Sequence, residues 1–384
     1  VADATGARYH KHSARWAREP QCVSRCTRIS GIAQQAFRGF LMPFTIKHGV
    51  SLQPLNTLGV NAVAEEYCLV TSVQGLAELL AEHRPMLILG SGSNLLFVDE
   101  RLTGLVLQPR LTGIKAVSFD SEHVLVTAHA GEDWHQLVLW CLGRGYGGLE
   151  NLSLIPGSVG AAPVQNIGAY GVALADTLYQ VETMNMVTGD MEIFTNSECR
   201  FTYRDSVFKS GPKSARVIVS VSFLLTKKKH RLNTSYAALG ASLHAQGICH
   251  PGIQDISRTV IHLRQKKLPD PAQIPNAGSF FKNPVISDGA YREIFLQYPD
   301  MPGFRLSNQT VKIPAGWLIE QCGWRGFRGP RAGVHDQHAL VLVNHSGASG
   351  LEIYDLSAEI IDSVAARFGI ILQREVHVIP CRTG

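Results

Sequence analysis

A chain of 384 residues with 45% hydrophobic and 17% charged side chains is long enough for two or three domains around a sizeable core. It is too apolar for a disordered chain, and no apolar run approaches the roughly 20 residues of a membrane-spanning helix. The net charge of +5 is local: residues 1–41 carry seven Lys/Arg against two acids, and the other 343 residues carry 29 of each, which excludes a basic, nucleic-acid-binding body.

The eight cysteines (Cys22, Cys26, Cys68, Cys141, Cys199, Cys249, Cys322 and Cys381) are scattered and form no C-x-x-C. This argues against a disulfide framework or structural zinc and for a reducing, cytoplasmic setting. Residues 1–41 are Arg-rich and acid-poor, and lack the apolar core of a secretory signal. They are expected to be a disordered extension outside the fold, and a transit peptide, which has similar composition, is the alternative.

From Met42 onward helix and strand signals alternate. Thr71–His83 opens with a T-x-x-Q capping box and puts Val73, Leu76, Leu79 and Leu80 on one helical face. Met86–Leu89 is a short apolar strand cut by Gly90-Ser91-Gly92-Ser93-Asn94, and Leu105–Leu107 and Val124–Ala128 are further strands. A second helix spaces Trp134, Leu137, Val138, Cys141 and Leu142 on one face. Near the end, Ser349-Gly350-Leu351-Glu352 is another capping box. It opens a helix with Ile353, Leu356, Ile360, Val364 and Phe368 on one face and Gly369 as its stop. Ile370–Ile379 then reads as a strand. Such a mixture with long glycine loops predicts an α+β or α/β chain of more than one domain, without internal repeats.

The loops carry the chemistry. Residues 90–94 let backbone N–H groups converge on an anion, because no Cβ blocks the approach; an ordinary turn fits equally well. The G-x-G-x-x-G at Gly143, Gly145 and Gly148 follows a helix and not a strand, so it reads as a helix C-cap and not a dinucleotide-binding turn. Gly147–Gly171 is the most unusual stretch: six of its 25 residues are glycine and only Glu150 is charged. It suggests backbone laid against a large flat ligand, with Gln165 and Asn166 for polar ring edges. A packed loop without a ligand is the alternative, and the length of the stretch counts against it.

Three clusters mix charge with aromatic residues: Arg200–Ser206, Arg264–Pro271 leading into Asn276–Pro284, and Glu375 beside Arg374. Singly, each reads as a surface ion pair. Together they offer cations for phosphate or carboxylate, one acid and one hydroxyl. His335, His338 and His345 lack a metal-binding framework and read as structural, so no metal is expected. Lys227–Arg231 reads as a solvated charge run.

In this order, GLENLSLIPGSVGAAPVQNIGAYG, CRFTYRDSVFK, KLPDP…NAGSFFKNP and AGWLIEQCG resemble the UDP-N-acetylenolpyruvoylglucosamine reductase (MurB) family over about residues 50–380. The resemblance implies an α+β fold. A two-part FAD-binding module of the vanillyl-alcohol-oxidase type would span 42–110 and 111–267, and a smaller α/β substrate-binding domain 268–370. A C-terminal strand, 371–384, would return to the module. It also implies non-covalent FAD, with NADPH and UDP-N-acetylglucosamine enolpyruvate as partners sharing one cleft, in a monomer.

By similarity Ser279 is the proton donor, and Arg204 with Glu375 stabilises charge developing at the substrate carboxylate. A cation aimed at such charge is productive electrostatics. A carboxylate helps there only when protonated or acting through another donor, so Glu375 is expected to have a raised pKa. The FAD site maps to Gly90, Ser91, Gly92, Ser93 and Asn94 at the pyrophosphate. Along the isoalloxazine it maps to Pro156, Gly157, Ser158, Gly160, Ala161, Gln165, Asn166, Ile167 and Gly168. Tyr170, Arg264, Lys267, Asn283, Lys312 and Gln321 map to the substrate cleft, and Tyr236 to the mobile-loop tyrosine of one family branch. Arg325–Gln337 is more basic than the resemblance implies. Two other readings stay open: a different FAD-dependent sugar or lactone oxidoreductase on the same scaffold, and a non-catalytic nucleotide-sugar-binding protein.

Overall fold

Period-two burial is cleanest in the strand His123–His129, where Val124, Val126 and Ala128 point inward between half-exposed neighbours. The computed structural model describes residues 44–83, 85–209, 215–306 and 309–380; the extension expected at 1–41 lies outside them. His123–His129 belongs to a five-stranded antiparallel sheet in the order Met191–Thr195, Leu178–Asn185, Arg216–Thr226, His123–His129, Ile114–Ser118.

The strand Arg216–Thr226 is buried on both faces, and a bulge explains how. Its pairing with Leu178–Asn185 shifts register between Glu182 and Thr183, opposite Ser220 and Ile218. Val217 and Val219 therefore join a core with Leu76, Leu79 and Leu107, whereas Ile218, Val221, Phe223 and Leu225 join one built on Trp134, Leu137 and Val138. The extra residue reverses the alternation midway, so one strand serves two cores.

A four-stranded sheet runs Ile46–Ser51, Val63–Val70, Arg101–Pro109, Pro85–Ile88, with the first pair antiparallel and the others parallel. Its helix is Val73–Glu82. The capping side chain is Ser72, whose Oγ accepts from Gly75 N–H at 3.1 Å, and not Thr71 as the T-x-x-Q pattern suggests. The next predicted helix forms over Trp134–Leu142, capped by Asp133; Gly143 ends it in right-handed geometry, and the left-handed turn falls at Gly145. A helical pair, Ala237–Ala245 and Ile253–Lys267, packs through Leu239, Leu243, Ile256 and Val260.

Toward the C-terminus, Asn276–Ser279, Val341–Asn344 and Ala332–Val334 form an antiparallel sheet. The long helix Gly350–Phe368 starts at the Ser349/Glu352 capping box and stops at left-handed Gly369, as its sequence dictates. Phe97, Phe280, Leu318, Ile353 and Ile360 share one core, joining this region to the four-stranded sheet. Of the expected strand Ile370–Ile379, only His377–Ile379 is regular, pairing in parallel with Leu95–Phe97. Glu375 lies just before it in an irregular segment held by two main-chain contacts: Glu375 N–H donates to Phe280 O at 2.8 Å, and Arg374 bridges Phe281.

Helix and strand meet without clearance where the long helix begins. A Cβ on Gly350 would lie 1.6 Å from the Phe97 carbonyl oxygen, which is backbone and cannot swing aside. Gly350→Ala is expected to cost roughly 3 kcal/mol, the upper part of the overpacking range. A urea midpoint within error of the parent's would refute this.

Candidate active site

The polar loops converge on one cleft of about 1430 Å³, larger than a typical small-ligand pocket of ~300–1,000 Å³. One wall is Gly90–Asn94, set between the strands Pro85–Ile88 and Leu95–Phe97. Gly92 is jammed against the segment before it: at φ +68° its Cβ would sit 1.9 Å from Leu55 O, so only glycine fits. The facing wall is the loop from Pro156 to Gly168. The two walls are tied by Ser93 Oγ donating to Pro156 O at 3.2 Å and by Asn94 Nδ2 donating to Gln165 Oε1 at 2.8 Å. Gln108 Nε2 donates to Gly90 O at 2.9 Å and anchors the first loop to its sheet.

Ser279, Arg204 and Glu375 all line this cleft. Ser279 ends the strand Asn276–Ser279, and Phe280, the next residue, carries the carbonyl bonded to Glu375 N–H. Beside Ser279, Gly278 has φ +67° and no atom within 4 Å of a would-be Cβ, leaving the approach open. Arg204 Nε lies 2.9 Å from Glu375 Oε1, with both side chains largely buried. Arg204 Nε makes no hydrogen bond of ordinary geometry among the described residues. The other guanidinium nitrogens donate to Gly168 O at 2.7 Å and Asn166 O at 3.4 Å. Burial raises the Glu375 pKa, against the opposing pull of Arg204, Lys209 and Lys282, which is the direction anticipated for an acid that must hold its proton.

Other predicted residues are sorted by position. Gly90, Ser91, Gly92, Ser93, Asn94, Pro156, Gly157, Ser158, Gly160, Ala161, Gln165, Ile167 and Gly168 line the cleft, as do Arg264 and Lys267. Asn166 does not. Its buried side chain is spent inside the protein, donating to Thr202 O and accepting from Ala175 N–H. Tyr170 and Tyr236 sit apart from the lining but touch each other edge-to-face at 5.2 Å. Burial raises the Tyr170 pKa, with Arg264 opposing. Asn283 and Lys312 gather at Tyr203 next to Arg204: Lys312 Nζ lies 5.2 Å from the Tyr203 ring centre, and Asn283 Oδ1 accepts from Ala315 N–H. Gln321 is not among the cleft-lining residues, and its carbonyl accepts from Arg367 of the long C-terminal helix.

Some lining residues were not signalled by any motif. His135 Nδ1 accepts from Leu154 N–H at 3.0 Å, and burial lowers its pKa, so its free nitrogen carries the proton. Lys209 also lines the cleft, although it closes the quoted segment CRFTYRDSVFK. Lys227 and Lys229 are not simply solvated: Lys227 Nζ donates to Ser118 Oγ and Asp120 O, and Lys229 pairs with Glu122. Among the described residues, no group of three His, Cys, Asp or Glu is placed to hold a metal, and no helix is long and apolar enough to cross a membrane.

The chain matches two family models. Residues 67–196 match an FAD binding domain, and residues 270–379 match the UDP-N-acetylenolpyruvoylglucosamine reductase C-terminal domain. It is 44% identical over 336 residues to the UDP-N-acetylenolpyruvoylglucosamine reductase of Flavobacterium johnsoniae, covering 87% of this chain and 99% of the relative. It is also 44% identical over 338 residues to that of Pseudomonas fluorescens, again 87% and 99%. The fold is similar to the solved reductase of the same name from Thermus caldophilus: TM-score 0.62, 24% identity, 88% of this chain and all of that one.

The cleft fits FAD by its own geometry. Neither wall loop carries a charged side chain, and their small residues let main chain line the space. Arg264 Nε is buried there without a hydrogen-bond partner among the described residues, a donor suited to an anionic group.

Because the folded Glu375 carboxyl stays above its ordinary value of 4.5, its protonated form supports folding below that pH, and the support is lost as pH rises through the raised value. Glu375→Gln, fixed in the neutral form, is expected to match the parent in urea denaturation at about pH 4 and to exceed it at about pH 8. A variant no more stable than the parent at the higher pH would contradict this assignment.

Proposed function

The chain belongs to the UDP-N-acetylenolpyruvoylglucosamine reductase family, and from that premise we propose that it reduces UDP-N-acetylglucosamine enolpyruvate to UDP-N-acetylmuramate. NADPH is the reductant, and the step belongs to peptidoglycan precursor synthesis. The observation that carries this reading is the meeting of Ser279 with the Arg204–Glu375 pair in one cleft walled by the two small-residue loops.

FAD held by Gly90–Asn94 and the Pro156–Gly168 loop would supply the hydride chemistry, accepting hydride from NADPH and passing it to the terminal vinyl carbon. The protein's task is the charge that follows. Hydride addition leaves the neighbouring carbon as a carbanion conjugated with the substrate carboxylate. Arg204, fixed by Gly168 O and Asn166 O, presents positive charge where that negative charge grows, at no reorganisation cost. Glu375, whose pKa burial raises, adds a neutral O–H donor when it holds its proton, instead of a second repelling anion. Ser279 Oγ gives the proton that completes the C–H bond, and the alkoxide it leaves is reprotonated from solvent.

Tyr170, Tyr236, Arg264 and Lys267 form the side of the site that takes the nucleotide portion of the substrate. The Tyr236 ring, 45% exposed, is free to cover it. Asn283 and Lys312 reach the substrate from the Tyr203 side, and Gln321 ends the helix Ala315–Gln321, whose first N–H donates to Asn283 Oδ1. On this reading the flavin module falls within 42–110 and 111–267 and the substrate domain within 268–370, and the strand His377–Ile379 returns to the module by pairing with Leu95–Phe97. The five described cysteines are free thiols, which accords with a reducing, cytoplasmic setting.

The purified chain is expected to be yellow, to bleach with NADPH and to recover colour with the enolpyruvyl substrate. Ser279→Ala is expected to keep flavin reduction by NADPH close to the parent rate while slowing recovery by about 10²–10⁴-fold, the usual worth of a positioned acid. Stopped-flow absorbance separates the two half-reactions, and equal losses in both would remove Ser279 from the proton-donor role.

A further inference from the structure

Lys209 is a cleft cation with no part in the chemistry above. Its Nζ donates to the Arg204 main-chain carbonyl at 3.1 Å. Arg204 adopts φ +57°, a left-handed conformation that long side chains rarely take and that persists only when its surroundings enforce it. The guanidinium end is held separately by Gly168 O, Asn166 O and Glu375. Arg204 is thus fastened at both ends, with Lys209 at the backbone end.

We propose that Lys209 is a positioning residue for the substrate half-reaction: it holds the left-handed Arg204 backbone so that the guanidinium stays against Glu375. This rests on the functional reading above. The charged and titratable groups facing Glu375 are Arg204 and Lys209 from the same loop, Lys282 from the segment after Ser279, and Tyr203. Asp205 and His377 face Lys209 itself. Removing Lys209 takes away one of the three cations favouring ionised Glu375.

Lys209→Met in the FAD-loaded full chain is expected to lower kcat for flavin reoxidation by the enolpyruvyl substrate about 10- to 100-fold, the scale of a misplaced catalytic group. KM should change far less, and the loss should exceed that in the NADPH half-reaction at least tenfold. The pH midpoint of reoxidation should move upward, and Lys209→Arg should restore most of both rate and midpoint. Equal losses in the two half-reactions, or an unmoved pH midpoint, would overturn the proposal. A second readout does not depend on turnover. The urea-midpoint gap between Glu375 and Glu375→Gln at pH 8 should widen in the Lys209→Met background, and an unchanged gap would also overturn it. If Lys209→Met does not fold, Lys209→Gln carries both readouts. A parent enzyme that fails to reduce the enolpyruvyl substrate would instead sink the functional reading, leaving the stability comparison to judge Lys209.

Discussion

A carboxyl group buried against cations is the interaction on which the site depends. Desolvation favours the neutral form of Glu375, while Arg204, Lys209 and Lys282 favour the charged one. Burying an ion pair gives little net stability, because the cost of dehydration offsets much of the attraction. The arrangement is better understood through function: burial and the surrounding cations push the acid in opposite directions, with burial the larger, so local charge bears directly on its proton. Perturbed carboxyls of this kind cluster at functional sites, and here the perturbation coincides with a hydroxyl and an open approach at Gly278.

The scaffold keeps that balance by making separate parts of the chain share packing. The bulged strand Arg216–Thr226 gives one set of apolar side chains to the core under Leu76 and Leu79 and another to the core around Trp134. Phe97 and Phe280 bury together with the long C-terminal helix. Close-packed interiors resist compression and pass strain from part to part, and the two wall loops are tied directly through Asn94 and Gln165.

Much of this was legible in the residues. Apolar spacing located the helices Val73–Glu82, Trp134–Leu142 and Gly350–Phe368, because burying one face requires that period. The glycine-rich stretch was recognisable as a wall because so little else could lie flat against a ligand. The capping residue at Ser72 was missed by one position, since Thr71 and Ser72 are chemically equivalent caps and only backbone geometry separates them. Asn166 was misleading: an amide in a ligand-facing loop looks like a ligand contact, yet its hydrogen bonds go to Thr202 and Ala175. Lys209 gave no signal of its own, because a lysine's role here depends on a left-handed turn five residues earlier. The parity reversal in Arg216–Thr226 was equally invisible, as a bulge leaves no mark in an unbroken apolar run.

The late position of Glu375 bears on how the molecule comes into being. Asn94 donates to the Glu375 carbonyl, and the last strand pairs with Leu95–Phe97, so these contacts close across most of the chain. Emerging polypeptides fold from the N-terminal side first, and distant pairings form slowly. The two loops and their sheets can therefore be assembled on the ribosome while the acid is still unmade. Glu375 and the strand after it are therefore the last described parts of the cleft to find their partners, and a chain stopped before residue 375 lacks both.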